Sequence, residues 1–280
     1  MNLDHSTVAE ANRRFYARIA DLYDRTESCV ADHAAQVALE ADLDQVLSHL
    51  SQPAGSVRAL DACGGSGNVA LKLLNRGLDV TVADISRELL DILERKAAAV
   101  GRPAKTHCGE IAAFLESTDA TFDLVVFSSA LHHLQDIDRV LTLVFRRLRP
   151  GGLLFTLHDP TARRHQGRLT PFLLRAEYFA FKFFKQPGDV PAAALRKLRR
   201  AFGGRSGQSR LSDDNLGVVA EYHIRDGIDD LALVERLKQV GYQVVRHDRL
   251  HGARFALVQA VVSRIGQPTG FKLLLRKPNA

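Results

Sequence analysis

The sequence predicts an α/β protein built on a doubly wound, largely parallel sheet. Between Val57 and His158, five short apolar runs alternate with longer amphipathic segments. The runs are nearly continuous Val, Leu and Phe, the pattern of strands covered on both faces. A chain of 280 residues, 46% of them hydrophobic, is long enough to bury such a core.

The elements follow in order. Val8, Ala11, Phe15, Ile19, Leu22 and Tyr23 fall at helical spacing and predict one buried stripe. A second helical pattern runs to about Leu50, and Ser51–Ser56 is a loop by composition. Val57–Ala62 reads as a strand, Asn68–Arg76 as a helix and Asp79–Asp84 as a strand. Ser86 is a good N-cap for a helix burying Leu89, Leu90 and Leu93. Lys105–Cys108 is a weak strand and Phe122–Ser128 a strong one. A helix from Asp136 to Leu148 stops at Pro150-Gly151-Gly152, and Leu153–His158 is the fifth strand. The pattern breaks at Pro160. It resumes near Asp226 with a helix (Ile228–Val240), a strand (Tyr242–Arg249), a helical piece (Ala253–Ile265) and a last strand (Phe271–Leu275). The implied division is a helical cap over 1–52, a core over 53–159, an inserted segment over 160–225 and a completion of the core over 226–280.

Composition narrows the function classes. Charged residues at 25% argue against a disordered or fibrous chain. The longest apolar runs are far too short to span a bilayer, and the N-terminal stretch has no apolar core of a signal peptide. Cys29, Cys63 and Cys108 lack metal-ligand spacing, and their odd number argues against a disulfide framework. No metal is expected, and the predicted location is the cytoplasm. Net charge is +6, but Pro160–Arg225 alone holds 13 Lys/Arg against 5 Asp/Glu, while the remainder holds 25 against 27. An excess so localised points to an anionic substrate or surface rather than to general nucleic-acid binding.

The most informative stretch is Leu60-Asp61-Ala62-Cys63-Gly64-Gly65-Ser66-Gly67-Asn68, at the turn from the first strand into its helix. Glycines there let the backbone approach a ligand and take left-handed angles. Asp84 ends the second strand, 19 residues after Gly65, where a carboxylate can accept from both hydroxyls of a ribose. Gly65-Ser-Gly67-Asn-Val-Ala70 also fits a dinucleotide pattern. Against a nicotinamide cofactor stand the charge of Asp61 beside a would-be pyrophosphate, the position of the loop some 60 residues into the chain, and the order of the segments that follow.

Taken together, the motifs resemble those of class I S-adenosylmethionine-dependent methyltransferases of the small-molecule group. Asp61, Gly65 and Gly67 stand in register with that family's acidic glycine loop, and Asp84 with its ribose-binding acid. Gly109-Glu110-Ile111 stands in the place of the adenine-contacting turn, Phe122–Leu134 resembles the fourth-strand motif, and Leu148–Gly152 the turn before strand five. Phe271–Leu275 resembles the closing antiparallel strand. The resemblance implies a Rossmann-like sheet of seven mostly parallel strands with an antiparallel last strand, an N-terminal helical cap and a helical lid insertion. It implies S-adenosyl-L-methionine as cofactor, held by Tyr16, Tyr23, Asp61, Ala62, Cys63, Gly65, Gly67, Asp84, Ile85, Glu110, Ile111 and Ser128. Asp61 is expected to face the positive methionyl end, with helix capping as its alternative role. Cys63 replaces the family's first glycine; it reads as a small residue packed under the loop, with a strained positive φ or a reactive thiol as alternatives.

His132, His133, His158 and Asp159 cluster at the carboxyl ends of strands four and five and are the candidate catalytic residues, as base or orienting group for an acceptor. Tyr222 and His223 are candidates for the acceptor pocket. Methyl transfer to a small hydrophobic, lipid-like or natural-product-like acceptor is the favoured activity, with O-methylation ahead of N- or C-methylation. The other readings are an NAD(P)-dependent oxidoreductase and a cofactor-binding protein without transfer. Nucleic acid is disfavoured as a partner.

Phe172, Tyr178, Phe179, Phe181, Phe183 and Phe184 leave only Arg175 and Lys182 on a polar stripe; Leu195, Leu198 and Phe202 form a second apolar stripe hemmed by Arg196, Lys197, Arg199 and Arg200. A packed lid and a peripheral membrane contact both fit this pattern. In sedimentation with anionic liposomes, a membrane contact predicts that the full chain pellets and a variant lacking this segment does not; equal sedimentation would dismiss it.

Overall fold

The computed structural model describes residues 5–167, 170, 172, 173, 176, 226–251 and 256–279. Apart from the exposed Phe172, the aromatic and basic stripes of the insertion lie outside the described residues, as do Tyr222 and His223. Three N-terminal helices, α1 (His5–Thr26), α2 (Ser28–Ala31) and α3 (His33–Leu47), precede the sheet. The second helical pattern is therefore two helices, broken where Asp32 turns extended and accepts from Ala35 N (2.8 Å) as the N-cap of α3.

Seven strands form one sheet in the order β3-β2-β1-β4-β5-β7-β6. They are β1 (Arg58–Ala62), β2 (Asp79–Asp84), β3 (Lys105–Cys108), β4 (Phe122–Ser128), β5 (Leu148–Pro160), β6 (Gln243–Leu250) and β7 (Gly270–Arg276). The first five pair in parallel, whereas β7 runs antiparallel to both β5 and β6. Between them lie α4 (Asn68–Asn75), α5 (Arg87–Ala99), α6 (Ile111–Ser117), α7 (Ile137–Arg147), α8 (Asp230–Val240) and α9 (Ala256–Ile265). Side chains alternate across the sheet as a strand requires. Leu60, Ala62, Val125 and Phe127 face α6, α7 and α8. Ala59, Val80, Val82, Leu124 and Val126 face α3, α4 and α5. Each fully buried Leu or Phe in these layers contributes about 1.5–3 kcal/mol.

Two differences from the expected elements matter for the site. β5 begins at Leu148, directly after α7, and runs on to Pro160, so the Pro-Gly-Gly turn is part of the strand. Its pairing shifts register between Thr156 and Asp159, a bulge that re-aims His158 and Asp159. On α1, Leu22 is half exposed rather than part of the buried stripe. The strand order reverses between β1 and β4, and in open α/β sheets that reversal opens a crevice at the carboxyl edge.

The inserted segment leaves and rejoins the core at one point. Thr161 bridges Ile228, Ala162 N donates to Ile228 O (2.7 Å) and Ile228 N to Pro160 O (2.9 Å). Buried Asp230 ties this neck to β6 by accepting from Thr161 Oγ1, from Arg249 Nη2 (3.0 Å) and from His247 Nε2 (2.8 Å).

Candidate functional site

A cleft enclosing about 950 Å³, its open mouth included, lies at the carboxyl ends of β1, β2 and β4 beneath α1. Its floor is the glycine loop. Gly65 takes φ +53° and Gly67 φ +88°, and a Cβ on Gly67 would stand 2.2 Å from Leu93 Cδ1. A side chain at either position would strain the turn, and at Gly67 it would collide with the packing under α4. Asp84 lines the cleft: Oδ2 accepts from Gly65 N (2.8 Å) and Oδ1 from Ser86 N (2.8 Å). Each oxygen keeps a further lone pair for a ligand. Burial raises the Asp84 carboxyl, while these backbone bonds act in the opposite direction.

Nine of the expected cofactor residues share this cleft: Tyr16, Tyr23, Cys63, Gly65, Asp84, Ile85, Glu110, Ile111 and Ser128. Asp61, Ala62 and Gly67 stand behind its wall. Asp61 is buried and Oδ2 accepts from Ala70 N (2.9 Å), so it holds the first turn of α4. Its helix-capping role is thus the one the hydrogen bond displays. Ala62 is packed in the core.

Cys63 takes φ +57°, so the residue in the glycine position carries strain as well as packing under the loop. Burial, with Asp84, Asp61 and Asp159 nearby, pushes its thiol well above the ordinary range. A reactive thiolate at Cys63 is therefore disfavoured. Ser129 (φ +55°) and His158 (φ +64°) share the left-handed conformation at the ends of β4 and β5.

The four candidate catalytic residues divide. His133 lines the cleft, and its Nε2 lies 3.0 Å from the Tyr16 hydroxyl. His132 is buried outside the lining and packs against His133 at a tilt of 43°, ring centroids 4.0 Å apart. Buried Asp159 accepts from both the backbone N (3.1 Å) and Nδ1 (2.8 Å) of His132 through Oδ1. His158 lies outside the cleft lining, with Nδ1 at 3.2 Å from Ser128 Oγ. Burial lowers its pKa, and Lys272 adds to the shift.

The roof is α1. Tyr23 reaches the glycine loop, where its hydroxyl would lie 3.7 Å from a Cβ on Gly65. Asp24 accepts from Ser66 Oγ (2.5 Å) and pairs with Lys96, whose Nζ also donates to Ser66 O (3.2 Å). The sequence reading missed Asn12, Ser129, Gln135 and Arg139 as lining residues. For Asn12 a signal existed: it lies midway between Val8 and Tyr16 at four-residue spacing, a polar side chain on a helical stripe.

A family model described as "Methyltransferase domain" matches residues 59–152. The chain is 35% identical over 124 residues to a tRNA 5-carboxymethoxyuridine methyltransferase of Escherichia coli (strain K12), covering 42% of this chain and 46% of that protein. It is 30% identical over 164 residues to a magnesium-protoporphyrin O-methyltransferase of Rhodobacter capsulatus, covering 56% of this chain and 67% of that one. The chain thus spans less than half the length of the first of these relatives. The crystal structure of magnesium protoporphyrin IX methyltransferase from Synechocystis PCC 6803 with bound SAH superposes with a TM-score of 0.56 at 14% identity, over 97% of this chain and 98% of that one. This last likeness is one of fold.

Burial lifts the Asp61 carboxyl from about 3.8 to about 7. Between those values the folded chain holds a proton that the unfolded chain has released, so stability falls as pH rises through that window. Asp61→Asn keeps an oxygen for Ala70 N and removes the titration. Urea unfolding at several pH values between 4 and 8 is expected to show a stability loss on the order of a few kcal/mol in the wild type that the variant lacks. Parallel profiles would mean that Asp61 is ionised throughout.

Proposed function

Because the chain belongs to the class I S-adenosylmethionine-dependent methyltransferases, we propose that it transfers a methyl group to a small, largely apolar acceptor, with oxygen as the favoured methylated atom. The observation that carries this reading is the cleft itself. It gathers the glycine loop, the carboxylate of Asp84, the turn at Glu110–Ile111 and His133 under one helix. The residues fit the cofactor. Asp84 keeps lone pairs for ribose hydroxyls, Gly65 adds no side chain of its own to the left-handed turn, and the lining is otherwise mainly apolar.

When bound, S-adenosylmethionine supplies an electrophilic methyl group on a sulfonium. This chain's residues then have three tasks. Asp84 and Gly65 fix the ribose side of the cleft. Tyr16 and Tyr23, on α1, cover the cleft and keep water from it, and alignment with water exclusion supplies much of the rate. The imidazole of His132 is the best-oriented base. In the tautomer that donates from Nδ1 to Asp159 Oδ1, Nε2 keeps the lone pair that can take a proton from an acceptor hydroxyl. His133 and Tyr16 form a second polar pair on the cleft wall. The domain boundaries at 52, 159 and 225 belong to this reading.

Thermal unfolding tests the cofactor assignment. S-adenosylmethionine and S-adenosylhomocysteine, at about 100 times their dissociation constants, are expected to add about 2.7 kcal/mol of stability. Asp84→Ala is expected to weaken that gain. Stabilisation by NAD alone would make the loop a dinucleotide site. Turnover tests the chemistry, with an acceptor panel of hydrophobic phenols, magnesium protoporphyrin and tRNA bearing carboxymethoxyuridine, the last two taken from the relatives' activities. On an acceptor hydroxyl, His132→Ala and Asp159→Asn should each lower kcat by about a hundredfold, with affinity for S-adenosylhomocysteine retained. Full turnover in both would remove the pair from the chemistry.

A further inference from the structure

Asn12 sits on the roof of the cleft with its side chain 92% buried from solvent by residue exposure of 8%. Its Nδ2 donates to Val8 O at 3.0 Å. A carbonyl only accepts, so this bond fixes the amide's orientation: nitrogen toward the helix backbone, oxygen away from it. Oδ1 has no hydrogen-bond partner in the described structure. A buried acceptor without a partner, on the wall of a ligand cleft, is suited to a ligand's donor.

The fold restricts which donor. α1 crosses the mouth of the cleft. Tyr23 lies over the glycine loop and Leu89, on the side of α5, whereas Tyr16 meets His133, at the approach to α7. At 1.5 Å per residue, Asn12 lies about 16 Å along the axis from Tyr23, beyond Tyr16. Asn12 therefore serves the wing of the cleft formed by the starts of α6 and α7, which Ile111, Ala112 and Val140 line. With a ribose on Asp84, the wing that begins at Gly109–Ile111 receives the purine. An adenine offers one exocyclic amine there, a hydrogen-bond donor.

We propose that Asn12 Oδ1 accepts a hydrogen bond from the exocyclic amine of the cofactor's adenine, making α1 a purine-selecting element as well as a roof. This rests on the cofactor assignment above. The test is calorimetric titration of the wild type, Asn12→Leu and Asn12→Ala with S-adenosylhomocysteine and with S-inosylhomocysteine, whose purine carries a carbonyl in place of the amine. Binding of S-adenosylhomocysteine is expected to weaken about tenfold in both variants, with binding of S-inosylhomocysteine changed less than twofold. Two substitutions of different size separate loss of the oxygen from loss of shape. Unfolding without ligand, checked by circular dichroism, identifies a variant that has not folded, and the other then decides. Equal weakening of both ligands, or of neither, would overturn the assignment of Asn12. A wild type that binds neither ligand would instead overturn the cofactor assignment, and this inference with it.

Discussion

Three carboxylates buried along one sheet edge set the terms for everything around them. Asp61, Asp84 and Asp159 lie in the last two residues of β1, β2 and β5, at 1%, 8% and 1% exposure. Taking a carboxylate out of water is costly unless donors meet it. Backbone N–H groups and one imidazole meet them: Ala70 N for Asp61, Gly65, Ser86 and Ile85 N for Asp84, and the backbone and ring of His132 for Oδ1 of Asp159, whose Oδ2 has no partner among the described residues. Each acid thereby fixes a different piece of the edge. Asp61 anchors the first turn of α4, Asp84 binds the glycine loop to the end of β2, and Asp159 holds the segment after β4. The cleft has its shape because these three bonds sets pull separate loops onto one edge.

The same edge stores backbone strain. Cys63, Ser129 and His158 are the non-glycine residues with positive φ among those described, and they follow β1, follow β4 and lie in the bulge of β5. Such conformations cost of order 1–3 kcal/mol each and persist where the surroundings over-determine them. Here the determinants are visible. Cys63 N donates to Ala83 O (2.7 Å) and Ser129 N to Leu157 O (2.8 Å), extending the strand ladders one residue past their ends. The His158 ring is met by Ser128 Oγ. Stability contributed by the sheet thus holds the edge in a geometry that the loops alone would not keep.

Most of the sheet was legible because buried parallel strands announce themselves as apolar runs; Asp79–Asp84, Lys105–Cys108 and Phe122–Ser128 stand where the runs predicted. The glycine loop was legible for a similar reason, since few residues other than glycine tolerate φ +88° at Gly67. What could not be read was set by distant partners. Asn12 looked like an ordinary polar helix position until α1 was placed over the cleft. Leu22 kept the period of a buried stripe but is half exposed. The extension of β5 depends on its pairing with β7, more than a hundred residues away, and the bulge that turns Asp159 onto His132 leaves no trace in local composition.

Roof and floor are also joined to each other. Asp24, one residue beyond Tyr23, accepts from Ser66 in the glycine loop and pairs with Lys96 on α5, which in turn donates to the Ser66 carbonyl. A surface ion pair of this kind contributes little to global stability. Its position matters more than its strength. The glycine loop and the helix above it are joined directly, Ser66 of the one to Asp24 of the other. Tyr23 and Tyr16 lie on the same helix and cannot leave the cleft independently of Asp24. Burial raises the carboxyls of Asp61 and Asp84, and a positive charge nearby would stabilise their ionised forms. Roof and floor are therefore one connected unit: the carboxylate of Asp84 faces the cleft and binds the glycine loop, and α1 is held to the same loop at Ser66.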